Sequence, residues 1–455
     1  MKKLDNILKY GAAFLLLAIP LYPKFPFITI PGTYVSVRLE DFLIGVVSLL
    51  AIVVVFPNIK QFFKKDIEFS IFVFLLVTGV SVVSAILITK TVLPHIALLH
   101  WSRRIEYFLP FLIGTVVMKK NQNTTIDFFV RCLMIVVFVV FLYGVGQKYL
   151  SWPVIITQNE EYSKGIALRY IPGAHINSTF AGHYDLATYL ILVLPIIVTL
   201  LFILKSKWER PLLLIVWLSG LWLLANAISR ISIISYLGAT CLALIISKKI
   251  KAIPVVLVIS LVIFGLSGDL VARYNRIIEV SLKNLQKINK VIYITKEVYA
   301  QESEPHRTQS QTPVPVSKAI FEDRSTSIRL NVEWPRAMRA FTKNPILGTG
   351  FSSITLATDN DFLRLLGEVG LMGFFAFTLI LARLVAFSIK KLKIITSLSG
   401  AELGFAAGVI GGFTGILVNA MFIDIFEASK VAIMLWLIIG IFIQMVRNKE
   451  NEQTI

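Results

Sequence analysis

Long apolar runs separated by short polar connectors fill the chain up to residue 267 and again from residue 366 to residue 446. A helix needs about 20 mainly apolar residues to cross a bilayer, and roughly twelve runs meet that length. They lie near 7–22, 39–56, 67–89, 96–118, 127–150, 184–204, 211–227, 229–247, 252–268, 366–388, 402–420 and 429–446. The pattern predicts an all-α integral membrane protein. The first run follows Lys2, Lys3 and Lys9 and looks like a secretion signal. No small-x-small cleavage site follows it, and further runs do, so it reads as a retained first helix.

One long polar stretch breaks this pattern and divides the chain into 1–267, a loop at 268–365, and 366–455. Over 269–300, Val271, Ile277, Ile278, Val280, Leu282, Leu285, Ile288 and Val291 recur near helical spacing among Lys and Arg. Such an amphipathic helix suits the membrane surface. Residues 301–317, QESEPHRTQSQTPVPVS, carry almost no apolar side chains and read as a flexible tether. Helical periodicity resumes over 323–343, where Pro335 is expected to kink or split the helix. Asn344-Pro345 ends it, because the residue before proline leaves the α region. Gly348 and Gly350 then permit a tight turn. No internal repeat marks two related halves.

Composition agrees with a membrane class: 56% of residues are hydrophobic and 16% charged, and mean hydropathy is +0.76. A net charge of +18 invites a nucleic-acid partner, but the placement of the charge refutes one. Basic residues gather at Lys60/Lys64/Lys65, Lys119/Lys120, Lys205/Lys207/Arg210, Lys248/Lys249/Lys251, Lys390/Lys391/Lys393 and Arg447/Lys449. With the basic N-terminus these are every second connector, the signature of cytoplasmic loops. Both termini are therefore expected in the cytoplasm, and the connectors 151–183, 268–365 and 421–428 outside. Cys132 and Cys241 fall within apolar runs, so no disulfide framework is implied. The histidines make no i, i+4 pair and no HExxH motif, and neither metal nor cofactor is expected.

Ionisable groups inside apolar runs are costly and are candidate functional groups. Arg230 heads the run at 229–247 in LANAISRISIISYL, with no acidic residue within a helical turn. It either snorkels to the interface or meets an anion, and its planar fork suits phosphate. Arg103 and Arg104, in HWSRRIEYFLP, lie near the outer end of the fourth run, with Glu106 placed to pair with Arg103. In the loop, Arg324, Arg329, Arg336 and Arg339 form either a solvated face or a binding face. Asp359, Asn360 and Asp361 precede the run at 366, with Glu368 just inside it. They can serve as base, cation ligand or helix cap. Arg169, His175, His183 and Asp185 occupy the connector before the sixth run. No nucleotide-binding loop, Rossmann fingerprint or Ser-x-x-Lys site is present.

The segment Arg329…Trp334…AMRAFTKNPILGTGF…DNDFLRLLGEVGLMG resembles the signature of the O-antigen ligase and polymerase family. The Ser229-Arg230 pair and STFAGHYDLATYLILVLP match it too. The resemblance implies a multi-spanning protein similar to large membrane glycosyltransferases of the GT-C-like class, with one large extracytoplasmic loop, in a bacterial plasma membrane. It implies transfer of oligosaccharide from a polyprenyl diphosphate carrier to an acceptor glycan, lipid or protein. The family's diphosphate-engaging arginines fall on Arg230 and Arg329. Family ligases carry His-Asn where this chain has Asp359-Asn360. That departure leaves polymerase and glycan-to-protein ligase open, and a carboxylate can accept a hydroxyl proton as an imidazole does. Arg103, Arg104, Arg169, His183, Asp185, Asn360, Asp361 and Glu368 are the surrounding candidates for substrate contact.

A transporter of lipid-linked glycans is the competing class. It should carry charges at mid-bilayer and broken helices in paired positions. Here the charges gather at the outer ends, and the large loop has no counterpart in the other half.

Overall fold

The computed structural model describes residues 2–119 apart from 24, 26, 34 and 35, then 123–155, 167, 168, 170, 171, 173–268, 271 and 327–454. Arg169, Arg324, the tether 301–317 and nearly all of the amphipathic stretch 269–300 lie outside the described residues.

Each apolar run is a helix. In chain order they are α1 (Lys2–Leu21), α2 (Leu39–Val55), α3 (Asp66–Ser84), α4 (Pro94–Val117), α5 (Asn123–Tyr149), α6 (His183–Ile203), α7 (Glu209–Ala227), α8 (Arg230–Ile246) and α9 (Ile253–Gly265). After the loop come α10 (Trp334–Lys343), α11 (Asp361–Lys390), α12 (Gly400–Ala420) and α13 (Ser429–Thr454). Among the described residues, nine helices are long and apolar enough to cross a membrane. The runs beyond those nine are α4, α8 and α9. α4 is long enough but carries His100, Arg103, Arg104 and Glu106, while α8 and α9 have 17 and 13 residues. At 1.5 Å per residue α9 reaches about 20 Å, short of a hydrocarbon core of about 30 Å. The all-α expectation has one small exception. Two-residue strands pair antiparallel at Ile28–Thr29 with Ser36–Val37, and at Val154–Ile155 with Ala167–Leu168.

The innermost helices are α6, α12 and α13, and α13 is almost wholly enclosed. Close approach is what α12's glycines are for. A Cβ on Gly408 would sit 2.3 Å from the Ile196 backbone in α6, and one on Gly411 2.3 Å from the Ala239 carbonyl in α8. Small residues let helix backbones touch in lipid, where burial of apolar surface supplies little drive.

Contacts between helix ends show the alternation of direction. At one end, Lys430 at the start of α13 donates to the Pro20 and Tyr22 carbonyls at the end of α1 and to Thr179 before α6. At the other, Arg447 near the end of α13 pairs with Glu68 at the start of α3, and Asn448 bonds the Met118 carbonyl after α4. Lys9 of α1 lies over the Phe128 ring of α5, and Lys391 pairs with Glu450, at that second end. Both chain termini therefore share one end of the bundle. The connector 421–428 belongs to the opposite end, called here the site end.

The structure gives two expectations about the loop's last part their form. Pro335 marks a division between a π turn and an α-helix. It stands in the first turn of α10, where a missing N–H costs nothing. A π turn at Arg329–Glu333 runs directly into it, with the Trp334 N–H donating to the Arg329 carbonyl. The tenth span does not begin at 366 as a continuous helix. α11 starts at Asp361 and is broken at Gly370, which has φ 64 and ψ −169.

The NPILGTG motif closes that break. The Gly350 and Thr349 amides donate to the Glu368 and Gly367 carbonyls at 2.7 and 3.1 Å, and the Leu371 and Met372 amides donate to Pro345 and Ile346 at 2.8 and 3.1 Å. Groups that the broken helix leaves unpaired are thus paired by the turn, as buried backbone requires. A Cβ on Gly348 would lie 2.4 Å from the Glu368 carbonyl oxygen, and one on Gly370 2.4 Å from that of Ile346. Both glycines have positive φ. Turn and broken helix fit only because neither carries a side chain at the crossing.

Candidate active site

The π turn presents Arg329 to Asp359. Arg329 Nε and Nη2 both donate to Asp359 Oδ2, at 3.0 and 2.8 Å. Asp359 is held in place by its neighbours. The Thr358 amide donates to Asp424 Oδ2 at 2.8 Å and the Asn360 amide to Asp424 Oδ1 at 3.1 Å. One carboxylate thus brackets residue 359 on both sides, and Asp359 takes φ 50 between the two bonds. Aspartate tolerates that left-handed conformation better than most residues. Asn360, rather than an aspartate, caps α11: its Oδ1 accepts from the Leu363 amide at 3.0 Å. Burial pushes the Asp359 carboxyl up, Arg329 pulls it down, and the Asp424 charge pushes it up again; the net direction is upward.

Beneath this pair lies a network of buried charge. Arg364 Nη1 meets Asp424 at 3.0 Å and its Nη2 donates to the Ile354 carbonyl at 3.0 Å, with Glu368 and Glu427 at 3.5 and 3.6 Å from its Nε. Arg104 pairs with Glu427, donates to the Phe426 carbonyl at 2.8 Å and lies over the Phe351 ring at 4.8 Å. Asp361 accepts from the Ile425 and Phe426 amides at 2.7 and 3.2 Å. Glu368 accepts from the Ser352 amide at 3.2 Å. Burial raises the Glu427 carboxyl, but Arg104 and Arg364 together hold it well below the usual carboxylate range. A cavity of about 40 Å³ lies among Arg104, Asp361, Glu368, Glu427, Phe351 and Trp436.

Arg103 and Arg104 stand about 15 Å along α4 from its start at Pro94, by helical rise, instead of near the end of the span. Arg104 nonetheless reaches Glu427, so connector 421–428 dips into the bundle. Arg103 pairs with Asp41 at 2.9 Å and Glu106 at 3.3 Å and donates to the Ser36 carbonyl at 2.6 Å. The i, i+3 pairing expected for Arg103 is present, joined by a partner from α2 that spacing could not reveal.

Arg230 opens α8 across a two-residue turn from α7, formed by Ile228 and Ser229. Ile228 has φ 53, a conformation that costs a β-branched residue energy and persists only where the surroundings enforce it. Ser232 donates to Asn419 Oδ1 at 3.2 Å, and Asn419 Nδ2 to Thr188 Oγ1 at 2.8 Å. These bonds tie the Arg230 end of α8 to the start of α6, where His183 and Asp185 occupy the first turn. The His183 ring stacks on His175 with centroids 4.3 Å apart. Connector 421–428 begins just after Asn419 and reaches Asp359 through Asp424. The first turn of α8 and the Asp359 segment are therefore both tied to the stretch 419–424 at the site end.

Sequence reasoning missed Arg364, Asp424, Glu427 and Glu333. The signal for Arg364 was its i, i+4 spacing to Glu368. Asp424 and Glu427 were two carboxylates in a short connector already read as facing the same side. Among the described residues no group of histidine, cysteine and carboxylate side chains is arranged to hold a metal ion.

No curated protein matches the chain. A family model described as O-antigen ligase matches residues 213–378, from α7 through the break in α11, and so encloses Arg230, Arg329, the glycine turn, Asp359 and Glu368. This match agrees with the resemblance read from the sequence: residues 213–378 are similar to the O-antigen ligase family.

Proposed function

We propose that the protein is a membrane glycosyltransferase that moves oligosaccharide from a polyprenyl diphosphate carrier to an acceptor hydroxyl at the outer face of the plasma membrane. About twelve spans in a GT-C-like arrangement would carry the site, and the carrier would enter sideways from the bilayer. The observation that carries this reading is the Arg329–Asp359 pair, fastened through the Thr358 and Asn360 amides to Asp424 of connector 421–428.

As a diphosphate leaves, negative charge grows on its oxygens, and guanidinium groups fixed in a site of low dielectric stabilise it better than water does. Arg230 and Arg329 take that part. Arg329 exchanges Asp359 for a phosphate oxygen, and Asp359 assists deprotonation of the acceptor. His183 and Asp185 line the acceptor's approach, and Asn360 caps α11 beside it. Arg103, Arg104, Asp361 and Glu368, each paired with groups of the protein, support the site from below.

Two measurements test the reading. Purified protein incubated with a lipid-linked oligosaccharide should release polyprenyl diphosphate and lengthen or transfer the glycan. Translocation without release would establish the transporter instead. An impermeant thiol reagent should label Thr342→Cys but not Lys248→Cys in cells whose outer barrier, if present, is permeabilised; the reverse would turn the site inward.

A further inference from the structure

We propose that Glu333, the last residue of the π turn that Arg329 opens, takes the proton of the acceptor hydroxyl. The inference rests on the transferase reading and names the group where the proton ends.

Glu333 is the last residue of the π turn that begins with Arg329. Its Oε2 is closed off from solvent and accepts no hydrogen bond. The carboxylates of the network beneath it differ: Asp361, Glu368, Asp424 and Glu427 accept hydrogen bonds or ion pairs from the protein. Asp359 receives two guanidinium bonds on one oxygen. A buried carboxylate oxygen without a donor is costly unless a ligand supplies one or the group is protonated. A sugar hydroxyl is such a donor.

The charges around Glu333 suit a base. Burial and the Asp359 charge push its carboxyl up, Asp424 adds to the push, and Arg329 and Arg336 pull against it; the result is about 7. A general base works best with a pKa near the operating pH. Donor binding would tune it further. When diphosphate draws Arg329 from Asp359, Glu333 faces an uncompensated neighbouring charge and becomes more basic. The base would strengthen only once a donor is in place.

The step balances. The acceptor O–H gives its proton to Glu333, and its oxygen pair forms the new bond to the anomeric carbon. The bond from that carbon to the diphosphate oxygen breaks, and its electron pair leaves on the diphosphate, beside Arg230 and Arg329. Glu333 then releases the proton to water.

The test uses the full chain in lipid nanodiscs with a lipid-linked oligosaccharide and an acceptor glycan, measuring transfer and donor binding across pH 5–9. Wild-type transfer should rise with pH through about 7, because the base must be ionised. Glu333→Gln should bind donor normally, lose about a hundredfold or more of transfer and lose the rise with pH. Glu333→Asp should keep part of the rate, with the rise moved to lower pH, which a merely structural role would not do. Wild-type transfer rate and pH profile in Glu333→Gln would overturn the assignment, as would loss of donor binding in that variant. An inactive wild-type protein would instead remove the transferase reading itself.

Discussion

Two clusters of charge at the site end are built on opposite terms. The inner one, centred on Arg364 and Arg104, is closed: these arginines are 5% and 7% exposed, and protein groups meet them from α4, α11 and the connector 421–428. The outer one, Arg329 with Asp359 and Glu333, is open. Its two paired side chains are 13% and 22% exposed, and one carboxylate oxygen of Glu333 has no donor. A buried charge paired with carboxylates of the fold holds elements together. A pair within reach of solvent can exchange a partner for a ligand. Burial alone would have ranked the inner cluster as the active one, and access reverses that order.

The sharpest way to break the comparison is to remove the centre of the closed cluster. Arg364→Ala strands Asp424 and weakens the hold on Glu427 and Glu368, and breaking a buried pair costs about 3–5 kcal/mol. Thermal unfolding in detergent should show a large drop, with poor accumulation in cells. Arg329→Ala should melt within a few degrees of wild type. Equal losses in the two would erase the distinction between scaffold and site.

Within the open cluster, Asp359→Asn carries the largest expected effect on activity. It removes the charge that raises Glu333 and anchors Arg329, while Asn360 continues to cap α11. Transfer should fall by about a hundredfold or more with melting almost unchanged. An active Asp359→Asn protein would confine Asp359 to shaping the loop.

Arg230 sharpens the comparison from across the connector. Arg230→Lys keeps the charge and loses the bidentate fork, so transfer should fall about tenfold or more, each tenfold being about 1.4 kcal/mol. Normal glycan assembly at matched protein levels would make Arg230 an interfacial residue only.

Much of this frame is legible in the sequence because its signals are local. Apolar run lengths announced every helix but α10, which periodicity announced, and alternating basic connectors announced that both termini share one end. The glycines at 348 and 350 announced a turn, since few other residues adopt their φ. The break at Gly370 was less visible, because the apolar run continues through it and only the partner turn at 344–350 makes it stable. The closed cluster was hidden for a different reason. Arg104 and Glu427 lie 323 residues apart, and Arg364 and Asp424 lie 60 apart. No periodicity reports such pairs. Glu333 was in view inside RLNVEW, but its significance depends on a missing hydrogen-bond partner, which only coordinates reveal.

The smallest expected effect separates cap from ligand at the seam between the clusters. Asn360 was a candidate for substrate contact, and the structure gives its side chain a local task, accepting from the Leu363 amide. Loss of such a cap costs about 1 kcal/mol, and serine replaces asparagine there almost without loss. Asn360→Ala should therefore lower the melting temperature slightly, Asn360→Ser should restore it, and transfer by Asn360→Ser should match wild type. If transfer falls in Asn360→Ser while melting does not, the asparagine amide touches the acceptor or the donor. The open cluster would then extend one residue past Asp359, to the first turn of α11.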